Sequence, residues 1–195
     1  VRRGDARLPL ADNVDAVYGA LALPAIPVNL REDRGEIESA VKGELPNLIT
    51  LADIRGDVHA HTTASDGTAS IAEMARAAQA LGYEYMAITD HSQGLTIAGG
   101  LTPDELREQI HAIRKLEDSL GIATFAGSEV DIKADGTLDF DDALLAELDI
   151  VIASAHRYNN QDSKAQTARL IRAIENPHVD LIAHPSGRLV NKRDP

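Results

Sequence analysis

From about residue 51 onward, short apolar runs alternate with longer segments in which apolar residues recur every three or four positions. Such short runs are typical of buried strands, and the longer segments are typical of amphipathic helices. The predicted strands cover residues 54–60, 85–89, 123–127, 150–155 and 179–183. The predicted helices between them cover residues 70–81, 102–120, 142–148 and 162–175.

Two of these helices have a well-marked first turn. Ser70 is followed three residues later by Glu73, and Thr102 by Glu105, and both pairs fit the capping box that satisfies the free N–H groups of a helix start. Because strands and helices alternate, the pattern predicts a parallel sheet with right-handed crossovers.

Residues 1–50 differ from the rest of the chain in composition and do not show this alternation. They hold four of the eight prolines, and the segment 23–27 can be neither a regular helix nor a central strand. Short helices are predicted at 13–21, capped by Asn13, and at 31–41. We therefore divide the chain into residues 1–50, a linker or the end of a preceding module, and a domain at 51–195.

The predicted strands of this domain end in potential metal ligands. Measured from His61, the ligands that follow the later strands are 27 to 38 residues apart, which is about the length of one strand–helix unit. These ligands are His59, His61, His91, Glu129, His156 and His184. Because the carboxyl ends of parallel strands lie on one face of a barrel, we expect these side chains to converge.

Two imidazoles two residues apart on a strand point to the same side, so His59 and His61 can bind one ion. Asp66 follows in a turn, and Glu129 could bridge two ions. The chain has no cysteine, which leaves histidine and carboxylate ligands for zinc, manganese or iron. The predicted chemistry is metal-assisted attack of water on phosphorus.

For other polar residues the sequence allows two interpretations or indicates a structural role. Asp90 is either an orienter of a ligand histidine or the cap of the following loop, and Arg188 either contacts a substrate phosphate or forms a surface salt bridge. His111 and His178 are expected to be surface or packing residues. A solvated turn and helix start is the prediction for the acidic stretch, which comprises Asp131, Asp135, Asp139, Asp141 and Asp142.

The composition sets limits on the function. A net charge of −12 argues against a broad basic surface for nucleic acid, but divalent cations would reverse the local field at an anionic substrate. Aromatic residues make up only 3%, so the core must consist of Ala, Leu, Ile and Val. There is no apolar run of about 18 residues, so we expect no membrane span, and the absence of cysteine is compatible with a cytoplasmic protein.

The ligand-bearing stretches resemble the PHP (polymerase and histidinol phosphatase) domain family. The matching stretches are residues 56–67, 88–92, 127–132, 153–156 and 183–185. The resemblance implies a distorted (β/α)7 barrel of the α/β class with two or three divalent ions, Mn²⁺ or Zn²⁺, with iron also used. It also implies three ligand groups: His59, His61 and Glu129; Glu129, His156 and His184; and Asp66 with His91. Of these, His59, His61 and Glu129 would be catalytic.

Residues 61–67 and the lead-in at 17–38 are most similar to the PHP domain of bacterial family X DNA polymerases. That resemblance implies a 3′-5′ exonuclease, with abasic-site processing, that acts on DNA in base excision repair. The family's final Asp-x-His motif is not found before Pro195. We therefore expect an incomplete barrel in a natural protein that extends in both directions. The resemblance makes residues 1–50 the end of a preceding polymerase core and a linker, and residues 51–195 the larger, N-terminal part of the PHP domain. The alternatives are a small-molecule phosphatase of the histidinol-phosphate type and a non-catalytic structural domain.

Overall fold

The computed structural model describes residues 13–158 and 160–186, apart from the side chains of residues 117 and 118. The chain divides into two compact units, Val1–Leu51 and Ala52–Pro195. This boundary lies one residue from the predicted one. The identity of the first unit as the end of a polymerase core stays a prediction.

From residue 13 onward, the first unit contains two short α-helices and a 3-10 turn at Val28–Leu30. Helix α1 spans Val14–Ala20, and the side chain of Asn13 accepts a hydrogen bond from the N–H of Ala16 at 2.9 Å, as predicted for a cap. Helix α2 spans Glu36–Lys42 and begins five residues later than predicted, because Gly35 precedes it with φ +93°. Residues 23–27 form no helix or strand, in agreement with their prolines.

The second unit alternates strands and helices as predicted. Its elements are β1 (Gly56–Asp57), α3 (Ile71–Ala80), β2 (Tyr85–Ile88), α4 (Pro103–Leu120), β3 (Ala123–Asp131), α5 (Asp142–Leu145), β4 (Ile150–Ser154), α6 (Ser163–Ile174) and β5 (Leu181–Ala183). The five strands in the described part of this unit are parallel and lie in the order β1-β2-β3-β4-β5. The α/β class is thus confirmed, as an incomplete barrel in which each strand pairs with the next in sequence.

Strand β3 differs from its prediction in a way that matters for the site. Its first half pairs with β2, up to Ala126, and its second half pairs with β4 from Gly127 to Asp131. This second pairing extends the strand four residues beyond the predicted end at 127. Glu129 therefore lies within a strand that has neighbours on both sides, and not in the loop after it.

The core is mostly Ala, Leu, Ile and Val, as the composition predicts, but it also contains the buried side chains of Met86 and Phe140. One cluster joins β2, α3 and α4 around Ile88 and Ile113, and the other joins β3, β4, α4 and α5 around Leu106 and Leu144. Within the described parts of the chain, no helix combines the length and the apolar composition that crossing a membrane requires.

The start of β4 is tied to its neighbours by one carboxylate. The side chain of Asp149 accepts hydrogen bonds from Ala126 N–H at 2.8 Å and from Arg114 at 2.6 Å. Burial alone would raise the pKa of Asp149, but the bonds from Arg114 and Ala126 outweigh it and lower the pKa. The ionised form is therefore the one that the fold stabilises.

We predict that Asp149→Asn destabilises the protein at pH 7 by about 1 kcal/mol, because the negative charge that strengthens these hydrogen bonds is lost. A lowered pKa stabilises the fold above the unfolded value of about 3.9, and this contribution disappears as the pH falls through the folded pKa. The difference in stability between the two proteins, measured by urea unfolding, should therefore shrink as the pH is lowered below about 3.9. A difference that is equal at pH 7 and pH 3 would contradict this account.

Candidate metal centre

A buried carboxylate lies at the centre of the ligand cluster. Glu129 is 2% exposed, and its two oxygens face different histidines. The Oε2 atom lies 3.3 Å from Nε2 of His59, 3.4 Å from Nε2 of His61 and 3.0 Å from Nδ1 of His91. On this side the three imidazoles meet one oxygen.

The other oxygen of Glu129 faces the last two histidines of the predicted series. Its Oε1 atom lies 3.2 Å from Nε2 of His156 and 3.1 Å from Nε2 of His184. The hydroxyl of Ser154 lies 3.2 Å and 3.0 Å from the same two nitrogens. A carboxylate with imidazoles at both oxygens has the arrangement that a bridging ligand between two ions requires.

Asp66 adds a second carboxylate at the edge of the cluster. Its oxygens lie 3.2 Å from Nδ1 of His61 and 3.5 Å from Nε2 of His91, and its side chain is half exposed. Among the described residues, three sets of ligand atoms are close enough to share an ion: His59, His61 and Glu129; His61, Asp66 and His91; His91, Glu129 and His156. The first set matches one predicted group, whereas His91 is shared between the other two.

The polar atoms of the cluster fit a cation better than they fit one another. The buried Nδ1 atoms of His61 and His91 have no hydrogen-bond partner, although carboxylate oxygens lie 3.2 Å and 3.0 Å away outside hydrogen-bond geometry. The Nε2 atoms of His59 and His61 are 3.0 Å apart. Buried polar groups are normally paired, and imidazole with carboxylate suits zinc, manganese or iron. The residues present therefore fit a divalent metal.

The His59–His61 segment is held by Thr89, the residue directly after β2, and lies outside the sheet strands. The structure places both residues after β1, in contrast to the predicted strand. Between them, Ala60 is paired through both backbone groups with Thr89: its N–H donates to the hydroxyl at 3.1 Å, and its carbonyl accepts from the N–H at 2.8 Å. Asp57 accepts a bond from the N–H of His59 at 2.9 Å. These contacts orient both imidazoles toward Glu129.

The turn that carries Asp66 depends on Gly67 and Asp90. A Cβ atom at Gly67 would lie 2.4 Å from the carbonyl oxygen of His61. The two backbone segments are therefore too close for any residue other than glycine. The buried carboxylate of Asp90 accepts bonds from Thr62 N–H, from the hydroxyls of Thr62 and Ser65, and from the side chain of Gln109. Asp90 thus neither orients a ligand histidine nor caps the loop after it; it holds the preceding His61–Asp66 loop.

The acidic stretch after Glu129 was predicted to be a solvated turn and helix start, and this is wrong for two of its members. Asp131 is 1% exposed and binds His156, and the side chain of Asp139 is also buried. Asp141 does cap α5, as a helix start requires. The signal for Asp131 was present in the sequence, because residues two apart on a strand share a face, and Asp131 stands two residues after Glu129.

The remaining predicted residues lie apart from the cluster or outside the described chain. His111 is exposed on α4, and His178 is half-buried in a turn. Arg188 lies outside the described residues. His184 has φ +29°, an uncommon conformation for a side chain other than glycine and one that is often found at functional sites.

Charge within the cluster is strongly coupled. Burial alone would raise the pKa of Glu129, but hydrogen bonds from His156 and His59 and the charges of nearby histidines hold it well below its usual range. Burial lowers the pKa of His156, but its bonds to Asp131 and Glu129 raise it to about 9. The bond to Glu129 raises the pKa of His59, whereas burial lowers that of His91. The carboxylate is thus held ionised among several imidazoles.

We predict that Glu129→Gln removes at least one equivalent of bound divalent metal per chain, because the shared negative ligand is lost. Elemental analysis after dialysis against metal-free buffer measures the change. The matched control is Glu84→Gln, because Glu84 pairs with Arg55 on the surface and its side chain is 55% exposed. Equal metal content in the Glu129→Gln variant and the unsubstituted protein would remove Glu129 from the ligand set.

Comparison with known proteins identifies the family. The PHP domain family matches residues 57–189. The chain is 48% identical over 177 residues to "DNA polymerase/3'-5' exonuclease PolX" of Bacillus subtilis (strain 168), which covers 90% of this chain and 31% of that protein. It is 32% identical over 134 residues to a "Probable phosphatase" of Syntrophotalea carbinolica, covering 66% of this chain and 53% of the relative.

A "Probable phosphatase" of Caldanaerobacter subterraneus is 37% identical over 134 residues, 66% of this chain and 51% of the relative. The chain therefore spans about a third to a half of the length of these relatives. The family match covers the whole ligand cluster from His59 to His184, and this chain belongs to the PHP domain family.

Proposed function

We propose that this chain is part of a metal-dependent phosphodiesterase that works as a 3′-5′ exonuclease within a family X DNA polymerase. The observation that carries the proposal is the buried Glu129 carboxylate with imidazoles at both oxygens. In this proposal the remainder of the same polypeptide supplies the polymerase and the end of the barrel. The protein acts on DNA in base excision repair, including abasic-site processing, in the cytoplasm.

The proposed centre holds two or three divalent ions, Mn²⁺ or Zn²⁺, with iron as a further candidate. His59 and His61 bind on the Oε2 side of Glu129, and His156 and His184 bind on the Oε1 side. Asp66 and His91 complete a third position. His59, His61 and Glu129 are the proposed catalytic ligands, and Arg188 is the proposed contact to a substrate phosphate.

Divalent ions in this position supply Lewis acidity toward a phosphate ester and lower the pKa of water. The chain's own residues bind and orient them: Glu129 contributes buried negative charge, and the half-exposed Asp66 marks the side that is open to solvent. Because the chain has a net charge of −12, a DNA backbone would be held near this face only where bound cations reverse the local field.

The share of this chain that each relative matches favours a nuclease over a small-molecule phosphatase. The match to the Bacillus polymerase and exonuclease covers 90% of the chain, which is longer than the second unit and so extends into the first. The matches to the probable phosphatases cover 66%. The similarity before residue 52 is therefore a feature shared with the polymerase relative.

We expect the double substitution His59→Ala with His61→Ala to abolish Mn²⁺-dependent release of nucleotides from a DNA 3′ end, because one ion loses both of its imidazoles. The assay follows shortening of a 5′-labelled oligonucleotide. His111→Ala is the matched control, since His111 is an exposed histidine on α4 and its substitution should leave the rate unchanged. Unchanged release by the double variant would reject the proposal.

The second candidate is a phosphatase of the histidinol-phosphate type, which the similarity to the probable phosphatases favours. Turnover of histidinol phosphate without degradation of DNA would establish it in place of the nuclease. If elemental analysis of the whole protein finds no bound metal, a non-catalytic structural role becomes the better account.

A further inference from the structure

We propose that Asp131 is a positioning residue that fixes the tautomer and orientation of His156, so that Nε2 of this histidine is the atom presented to metal. The proposal rests on the proposed metal centre. Asp131 lies outside the proposed ligand set, and its effect is expected on one side of Glu129. Neither the ligand series nor the family resemblance assigns a role to this carboxylate.

The geometry divides the two oxygens of Asp131 between two partners. Oδ1 lies 2.8 Å from Nδ1 of His156, and Oδ2 accepts a bond from Nε of Arg157 at 2.7 Å. The carboxylate is 1% exposed. Because an ionised carboxylate only accepts hydrogen bonds, Nδ1 of His156 must carry the proton.

The opposite ring nitrogen, Nε2, is then the atom that can bind a metal ion in place of a proton. Nε2 of His156 lies 3.2 Å from Oε1 of Glu129, inside the cluster. A ligand histidine whose second nitrogen donates to a carboxylate is held in one tautomer and one ring orientation, and its basicity increases. Asp131 is such a carboxylate for His156, and Nε2 of this histidine faces the proposed metal centre at Glu129.

The backbone and neighbours of Asp131 keep the carboxylate in place. Its N–H donates to the hydroxyl of Ser92 at 2.9 Å, and this hydroxyl donates to Asp139 at 3.0 Å. Asp139 also accepts from Gly94 N–H. Ser92 directly follows His91 in the chain, so the same hydrogen bonds support the segment that carries another proposed ligand.

This support is specific to one side of the cluster. Asp131 bonds to the ring of His156, which faces Oε1 of Glu129, whereas His59 and His61 face the other oxygen, Oε2, at 3.3 Å and 3.4 Å. Loss of the Asp131 carboxylate should therefore weaken the ion on the His156 side of Glu129 and leave the ion at His59 and His61 in place. A purely structural ion pair between Asp131 and Arg157 predicts no such selectivity.

The test compares Asp131→Asn with Asp149→Asn in metal titrations of the whole protein with Zn²⁺ or Mn²⁺. Asp149 is a matched control because it also accepts bonds from a backbone N–H and an arginine, yet it lies at the start of β4, away from the ligands. We expect Asp131→Asn to weaken one of the bound ions by about 10- to 100-fold and to spare another. Asp149→Asn should bind metal like the unsubstituted protein.

Equal affinities in Asp131→Asn and the unsubstituted protein would overturn the positioning role, as would equal weakening of all ions. If Asp131→Asn does not fold, the unsubstituted Zn²⁺-loaded protein decides the question. Nitrogen-15 NMR of its histidine side chains should show His156 protonated at Nδ1, and protonation at Nε2 would overturn the proposal. Selective loss of metal in a protein that never degrades DNA would uphold the positioning role and reject the exonuclease function.

Discussion

One buried carboxylate, Glu129, is the constraint on which the second unit depends. An ionised carboxylate that is 2% exposed is costly unless it is surrounded by hydrogen-bond donors or cations. Five imidazoles approach its two oxygens within 3.4 Å. The same contacts that lower the pKa of Glu129 are the ones that a divalent metal would replace.

The sheet supplies the geometry that this carboxylate requires. Strand β3 lies between β2 and β4, and its two halves pair with different neighbours. Gly127 lies where this change of partner occurs, and a Cβ atom there would lie 2.4 Å from the side chain of Ile150. A bridge places His91 opposite Glu129, and Asp131 pairs with Ser154, two residues before His156.

A second layer of carboxylates positions the ligands without joining them. Asp90 binds the backbone and hydroxyls of the loop between His61 and Asp66, and Asp131 binds the ring of His156. Both are fully buried, and both have partners for their oxygens. Rigid support of this kind reduces the reorganisation needed when an ion binds, and it explains why acidic residues other than the ligands lie so close to the centre.

The sequence by itself determined the class of fold, the five parallel strands and the histidines and carboxylates that meet, because apolar periodicity and the spacing of one strand–helix unit are local properties of the chain. Only the tertiary structure decided that β3 continues through Glu129 to Asp131, that the His59–His61 segment is held by Thr89, and that Asp90 and Asp131 are buried supports. The reason is physical: the end of a strand and the burial of an acid depend on partners that are 25 to 40 residues away in sequence. The two-residue spacing indicates that Asp131 shares a face with Glu129, but it does not contain the partners that bury this face.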